Sequence, residues 1–223
     1  MLIIVSALVP AIFIGVLFYL LDKNKEPVRI LIRAFLLGMA SVLLTLAGLT
    51  FAAIPQVPHD GAFGHSVYRS FLVAGALEES AKLIVFTGVY FRKEFDEWYD
   101  GMLYGVMIGL GFAFVENMGY FTFYREGARI DLILGRSFLS MPMHALLGGV
   151  MGYFVGKAKF SIQKRLVLPL ILLAWVLSVI MHGLFDFVLM FKRIDLSWLA
   201  IPIVIFMWLR VIHLKKVAQR LTI

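Results

Sequence analysis

Apolar segments of membrane-spanning length follow one another along nearly the whole chain, and that pattern leaves very few folds open. In hydrocarbon every backbone N–H and C=O must be paired within the protein, so a chain crosses a bilayer only as helices or as a closed barrel. A spanning helix needs about 20 mostly apolar residues, twice what a barrel strand needs. Seven segments fit, at approximately 2–21, 30–54, 66–91, 100–124, 137–156, 166–191 and 196–213. Asp22-Lys23-Asn24-Lys25-Glu26-Pro27 closes the first, Pro55-Gln56-Val57-Pro58-His59-Asp60-Gly61 the second, and Arg92 to Glu97 separates the third from the fourth. No linker is long enough to bound a second domain. The expected architecture is all-α: one integral membrane domain over 1–223, a polytopic bundle of about seven transmembrane helices.

Composition and charge fit this reading. Hydrophobic residues make up 61% and charged residues 16%, against about 45–50% and 25% in soluble domains. The net charge of +7 does not point to nucleic acid, because basic residues gather in the cytoplasmic loops of membrane proteins and orient the spans. With the N-terminus outside, the outer side holds only Arg69, Arg125, Arg129, Arg136, Lys192 and Arg193 of the 21 Lys and Arg residues. Apart from Lys82, which lies within a span, the rest fall at the cytoplasmic side, so the expected orientation is N-out, C-in. The absence of cysteine excludes a disulfide, a thiolate nucleophile and a thiolate metal site. Met1-Leu2-Ile3-Ile4 lacks a basic n-region, so the first segment reads as a retained span.

Set into these spans are Glu78, Glu79, Lys82, Glu116 and Asp186, with Asn117, His144 and His182 as polar companions. A charge at the bilayer centre costs at least about 2.5–3.5 kcal/mol, and such residues mark functional sites by default. Counted along their helices, the groups fall in one layer, from the bilayer centre to the outer leaflet.

Helical spacing adds detail. Lys82 is i+4 to Glu78 and i+3 to Glu79, so it can reach either. The other glutamate is then free to act as a general acid or base, unless the motif only locks helices together. Gly101, Gly105 and Gly109 make a close-packing face on the fourth span, and that face continues to Glu116. Asn117 reads equally as an interhelical hydrogen bond and as a catalytic group. His144 stands at the head of Gly148, Gly152 and Gly156 on the fifth span. His182 and Asp186 share a face of the sixth at i,i+4, where the carboxylate can fix the imidazole tautomer. Ser178 lies one turn away with no base coupled to it.

These motifs, Glu78-Glu79-x-x-Lys82, Phe112-x-x-x-Glu116-Asn117, His144 and His182-x-x-x-Asp186, resemble in order and depth those of the PrsW family of bacterial intramembrane proteases. That family is related to the type II CAAX prenyl endopeptidases and their wider superfamily. The resemblance covers residues of about 70–190. It implies peptide-bond hydrolysis in a polar chamber, with Glu78 or Glu79 activating water, Glu78 slightly favoured. Lys82 would orient the glutamate pair, and His144 and His182 would stabilise the oxyanion. Glu116 and Asp186 depart from the histidine and asparagine of the CAAX relatives. They add acidic ligands, which leaves the cofactor open between none and a zinc ion on Glu78 or Glu79, Glu116, His144 and His182. The resemblance further implies a bacterial plasma membrane location and site-1 cleavage of a single-span anti-sigma factor on its extracytoplasmic side. The lipid bilayer is the other expected partner, and no nucleic acid is expected. Two other readings stay open at this point, an ion- or proton-coupled transporter and a non-catalytic membrane scaffold.

Overall fold

The computed structural model describes residues 2–51, 63–123, 130–191 and 193–220, and among them there is no β-strand. The Pro55–Gly61 break and the expected outer residues Arg125, Arg129 and Lys192 lie outside these. Helix α1 is Leu2–Leu21 and α2 is Val28–Phe51. Helix α3 runs over 63–90 and is wound as a π-helix at Tyr68–Glu78. Helix α4 is Trp98–Phe123. Helix α5 covers 130–159, with a second π stretch at Arg136–Ser140. Helix α6 is Val167–Met190 and α7 is Ala200–Ala218, each preceded by a 3-10 turn.

Six of these helices are long and apolar enough to cross a membrane. Helix α3, the third expected span, is not among the six. Any 18-residue stretch within 63–90 includes three or more of Arg69, Glu78, Glu79 and Lys82. The fifth expected span begins seven residues before its expected start, at Ile130 rather than 137, which brings Arg136 into the helix.

Burial divides the bundle into a centre and a rim. The apolar 18-residue stretches of α4 and α5 are 72% and 83% buried, against 22–33% for those of α1, α2, α6 and α7. The rim helices turn Phe13, Leu43, Leu168 and Leu209 outward, apolar side chains that only hydrocarbon solvates at no cost.

Glycine makes the centre tight. A Cβ on Gly105 would overlap the carbonyl oxygen of Gly148, and one on Gly148 would overlap that of Gly105. The α4 and α5 backbones therefore touch, and the same approach continues from Gly109 to the His144 carbonyl. Small-residue stripes let helices approach in this way where no hydrophobic effect drives them together.

One end of the bundle collects the basic connections. Asn24 Nδ2 donates to Glu97 Oε2 at 3.3 Å, Arg29 Nη2 meets Glu94 Oε1 at 3.1 Å, and Lys159 Nζ donates to the Tyr90 carbonyl at 2.7 Å. Gln219 Nε2 reaches the Leu21 carbonyl at 2.7 Å.

The glycine contact is open to a direct test. Gly105→Ala is expected to lower stability by about 1–3 kcal/mol, the usual range for overpacking. Gly119, whose Cβ would meet nothing within 4 Å, is the control. Gly119→Ala is expected to be neutral or to stabilise by up to about 1 kcal/mol. Thermal unfolding in detergent reads both.

Candidate active site

The five embedded ionisable side chains and their three companions meet in one network where α3, α4, α5 and α6 come together. Its anchor is Glu79. Glu79 Oε1 accepts from Lys82 Nζ at 2.7 Å and from His182 Nδ1 at 2.8 Å, and all three side chains are buried. Lys82 also reaches His144 Nδ1 at 3.0 Å and lies 4.0 Å from the centre of the Phe112 ring. An ammonium has no lone pair, so His144 Nδ1 is the acceptor in that contact and its Nε2 carries the hydrogen. That Nε2–H donates to Glu116 Oε2 at 2.9 Å.

Glu78 is placed differently. Its Oε2 is 3.8 Å from both Lys82 Nζ and His182 Nε2, and it is buried with no hydrogen-bond partner among the described residues. The two adjacent glutamates thus have separate situations, as the roughly 100° between neighbouring helical residues requires. Glu79 holds Lys82 and His182 through Oε1, its Oε2 being buried without a hydrogen-bond partner among the described residues, while Glu78 hydrogen-bonds to neither.

Asp186 corrects an expectation. The i,i+4 spacing proposed it as the partner that fixes the His182 tautomer, but Asp186 Oδ2 stands 3.7 Å from His182 Nε2. Glu79, from another helix, takes Nδ1 instead. The result is an imidazole held from behind by a carboxylate with Nε2 facing Glu78 and Asp186, the arrangement that orients histidine for chemistry.

Asn117 acts between helices here, its Oδ1 accepting from Arg136 Nε at 2.6 Å. Arg136 was not among the expected site residues. Its Nη2 pairs with Glu116 Oε2 at 2.6 Å, and its guanidinium lies 3.7 Å from the centre of the Tyr120 ring. The signal that could have found it is its position eight residues, about two turns, before His144 on what proves to be the same helix. Ser178 is buried with no partner among the described residues.

A cavity of about 1100 Å³ reaches this network, and Glu116, Tyr120, Arg136, His144 and Asp186 line its polar part. Exposed Leu189, Trp198 and Ile201 line it as well, so it opens to the protein surface. Both π-wound stretches border the site, Tyr68–Glu78 ending at Glu78 and Arg136–Ser140 carrying Arg136. Such turns often occur at functional positions.

A packed membrane bundle with a chamber lined by carboxylates and imidazoles has the groups that a polytopic membrane hydrolase uses. Residues 26–212 match the PrsW family intramembrane metalloprotease, and the chain belongs to that family. It is 36% identical to the protease PrsW of Bacillus subtilis (strain 168), the match covering 92% of this chain and 90% of the relative. It is 31% identical to that of Clostridioides difficile (strain 630), covering 90% and 83%. For that of Shouchella clausii (strain KSM-K16) the identity is 32%, covering 99% and 98%. No solved structure matches. This chain is accordingly a multi-pass membrane protein of an intramembrane protease family.

The family description implies a metal, and the donors suit one. Glu78, His144 and His182 each offer one ligand atom, all within 4.8 Å of one another. Two imidazoles, a carboxylate and an open position are the usual donors of a catalytic zinc. The orphaned Glu78 Oε2 and the free His182 Nε2 fit directly, while both His144 nitrogens are engaged, by Lys82 and by Glu116.

The network makes a stability prediction. Removing one partner of a buried ion pair strands the other, at about 3–5 kcal/mol. Lys82→Met is expected to destabilise by that order, and Lys82→Met with Glu79→Gln by clearly less. Denaturant or thermal unfolding of both variants measures the difference.

Proposed function

We propose that this chain is an intramembrane endopeptidase that cuts a single-span membrane protein, an anti-sigma factor, on its extracytoplasmic side, with Glu78 activating the water. The observation that carries this reading is the division of labour between the glutamates. Glu79 Oε1 is hydrogen-bonded to Lys82 and His182, whereas Glu78 stands 3.8 Å from both with a hydrogen bond to neither.

In this scheme Glu78 takes a proton from water as the water oxygen attacks the scissile carbonyl carbon. The carbonyl oxygen becomes an oxyanion, stabilised by the Nε2–H of His182 as the imidazolium, its Nδ1–H staying on Glu79, and by the His144 Nε2–H as it turns from Glu116; the two ring centroids are 5.0 Å apart. The same proton passes from Glu78 to the leaving amide nitrogen as the C–N bond breaks. Glu79 and Lys82 set the position of His182 and His144, and Glu116 with Arg136 holds His144 from the cavity side. The cavity lined by Glu116, Arg136, His144 and Asp186 is the route by which water and an unwound substrate segment would enter. The substrate and the side of cleavage come from the family resemblance, together with the expected N-out orientation.

A second reading has specific support in the 4.8 Å convergence of Glu78, His144 and His182 and in the metalloprotease description of the family. A zinc ion held by these three would supply Lewis acidity and a water of lowered pKa.

The test is cleavage of a tagged single-span anti-sigma factor in liposomes. Glu78→Gln is expected to lower the rate at least 10²-fold, in keeping with loss of a general base, while its melting temperature stays near wild type. Glu79→Gln is expected to lose activity and stability together, since it leaves Lys82 without its closest partner. If a chelator abolishes wild-type cleavage and zinc restores it, Glu78 is a ligand rather than the base. If wild type, Glu78→Gln and Glu79→Gln are all folded and inactive, the endopeptidase reading fails.

A further inference from the structure

A second convergence of carboxylates lies at the basic end of the bundle. It is sixteen residues along α4 from Glu116, roughly 24 Å at 1.5 Å per residue. Glu26 precedes α2, Asp96 precedes α4, and Asp100 is in the first turn of α4. One carboxylate oxygen of each lies within 4.8 Å of the other two.

Asp100 is fully buried and faces the other two carboxylates. Its Oδ2 accepts from the backbone N–H groups of Asp96 at 2.9 Å and Glu97 at 2.8 Å, and its Oδ1 is buried with no partner among the described residues. An orphaned buried oxygen of this kind asks for a donor or a cation.

Neighbouring cations hydrogen-bond or pair elsewhere, although Lys159 is near enough to interact electrostatically with Asp96 and Asp100. Lys25 Nζ donates to the carbonyls of Tyr19, Leu20 and Asp22, and Lys159 Nζ to those of Tyr90 and Arg92. Arg29 and Arg92 pair with Glu94. No described lysine or arginine forms an ion pair with Glu26, Asp96 or Asp100. The Glu26 carboxylate accepts from the Tyr104 hydroxyl, yet burial, with Asp22, Asp96 and Glu97 nearby, pushes it up to about 7. A cavity of about 320 Å³ lies close by, lined by Asp22, Lys23, Asn24, Glu97 and Arg220 among others.

We propose that Glu26, Asp96 and Asp100 bind a divalent cation of the oxygen-preferring class, magnesium or calcium, which ties the α1–α2 connection to the start of α4. Three carboxylates without imidazole or thiolate select hard cations, which complete their shells with water. The site is chemically distinct from the Glu78, His144 and His182 group and stands whether or not the chamber holds a metal.

The experiment uses the full chain in detergent, stripped with a chelator and melted across separate magnesium and calcium titrations. A cation that binds only the folded state raises the melting temperature with concentration. A saturable rise is expected for wild type and equally for Glu78→Gln, which removes a chamber donor. Asp96→Asn is expected to shift the midpoint of that rise to at least tenfold higher cation. The Asp96 side chain is exposed, so this variant folds, and Asp100→Asn serves as the stronger second variant. Terbium luminescence sensitised through Tyr104 gives a direct reading, expected in wild type and quenched by calcium. Flat melting curves with both cations overturn the proposal. So does an unchanged midpoint in Asp96→Asn, or loss of the response in Glu78→Gln.

Discussion

The α4 and α5 backbones touch through Gly105 and Gly148 because neither residue carries a Cβ, and that contact sets the position of everything above it. Following the two helices from the contact brings the Gly109 face to the His144 carbonyl, and then Glu116 Oε2 to within 2.9 Å of His144 Nε2. A larger residue in the stripe would part the helices and move the imidazole off its carboxylate by the same amount. Packing in hydrocarbon is carried by van der Waals fit and interhelical hydrogen bonds, so a close approach and a polar contact support each other here.

Around that pair the site is built from charges that compensate one another in the interior. Lys82 and Glu79 neutralise each other at 2.7 Å, and Glu79 also holds His182. Arg136 neutralises Glu116, which orients His144. Buried ion pairs contribute little net stability against apolar replacements, but removing one partner is costly. Their role in this arrangement is placement, with both imidazoles fixed at their far edges and Glu78 the carboxylate left beside them without a hydrogen-bond partner.

Much of this was legible along the chain. The spacing of Glu78, Glu79 and Lys82 on one helix already required that Lys82 reach either glutamate, and the glycine stripes already aimed Glu116 and His144 into the bundle. Asp186 shows where spacing stops being informative. It shares a helix face with His182, as i,i+4 requires, yet the closer partner of His182 comes from another helix. Arg136 shows a second limit. It sits at the polar margin of an apolar segment and read as a loop residue until the helix proved to start at Ile130.

The sequence by itself determined that this is a helical membrane bundle, because backbone pairing in hydrocarbon admits few alternatives to a succession of apolar twenty-residue segments. It also determined which side chains are too costly to be incidental in those segments. Only the tertiary structure decided how they pair. Periodicity fixes the face a residue occupies on its own helix, whereas partners across helices depend on the rotation and approach of neighbours. That is why Glu79 rather than Glu78 closes on Lys82 and His182, and why Arg136 joins Glu116.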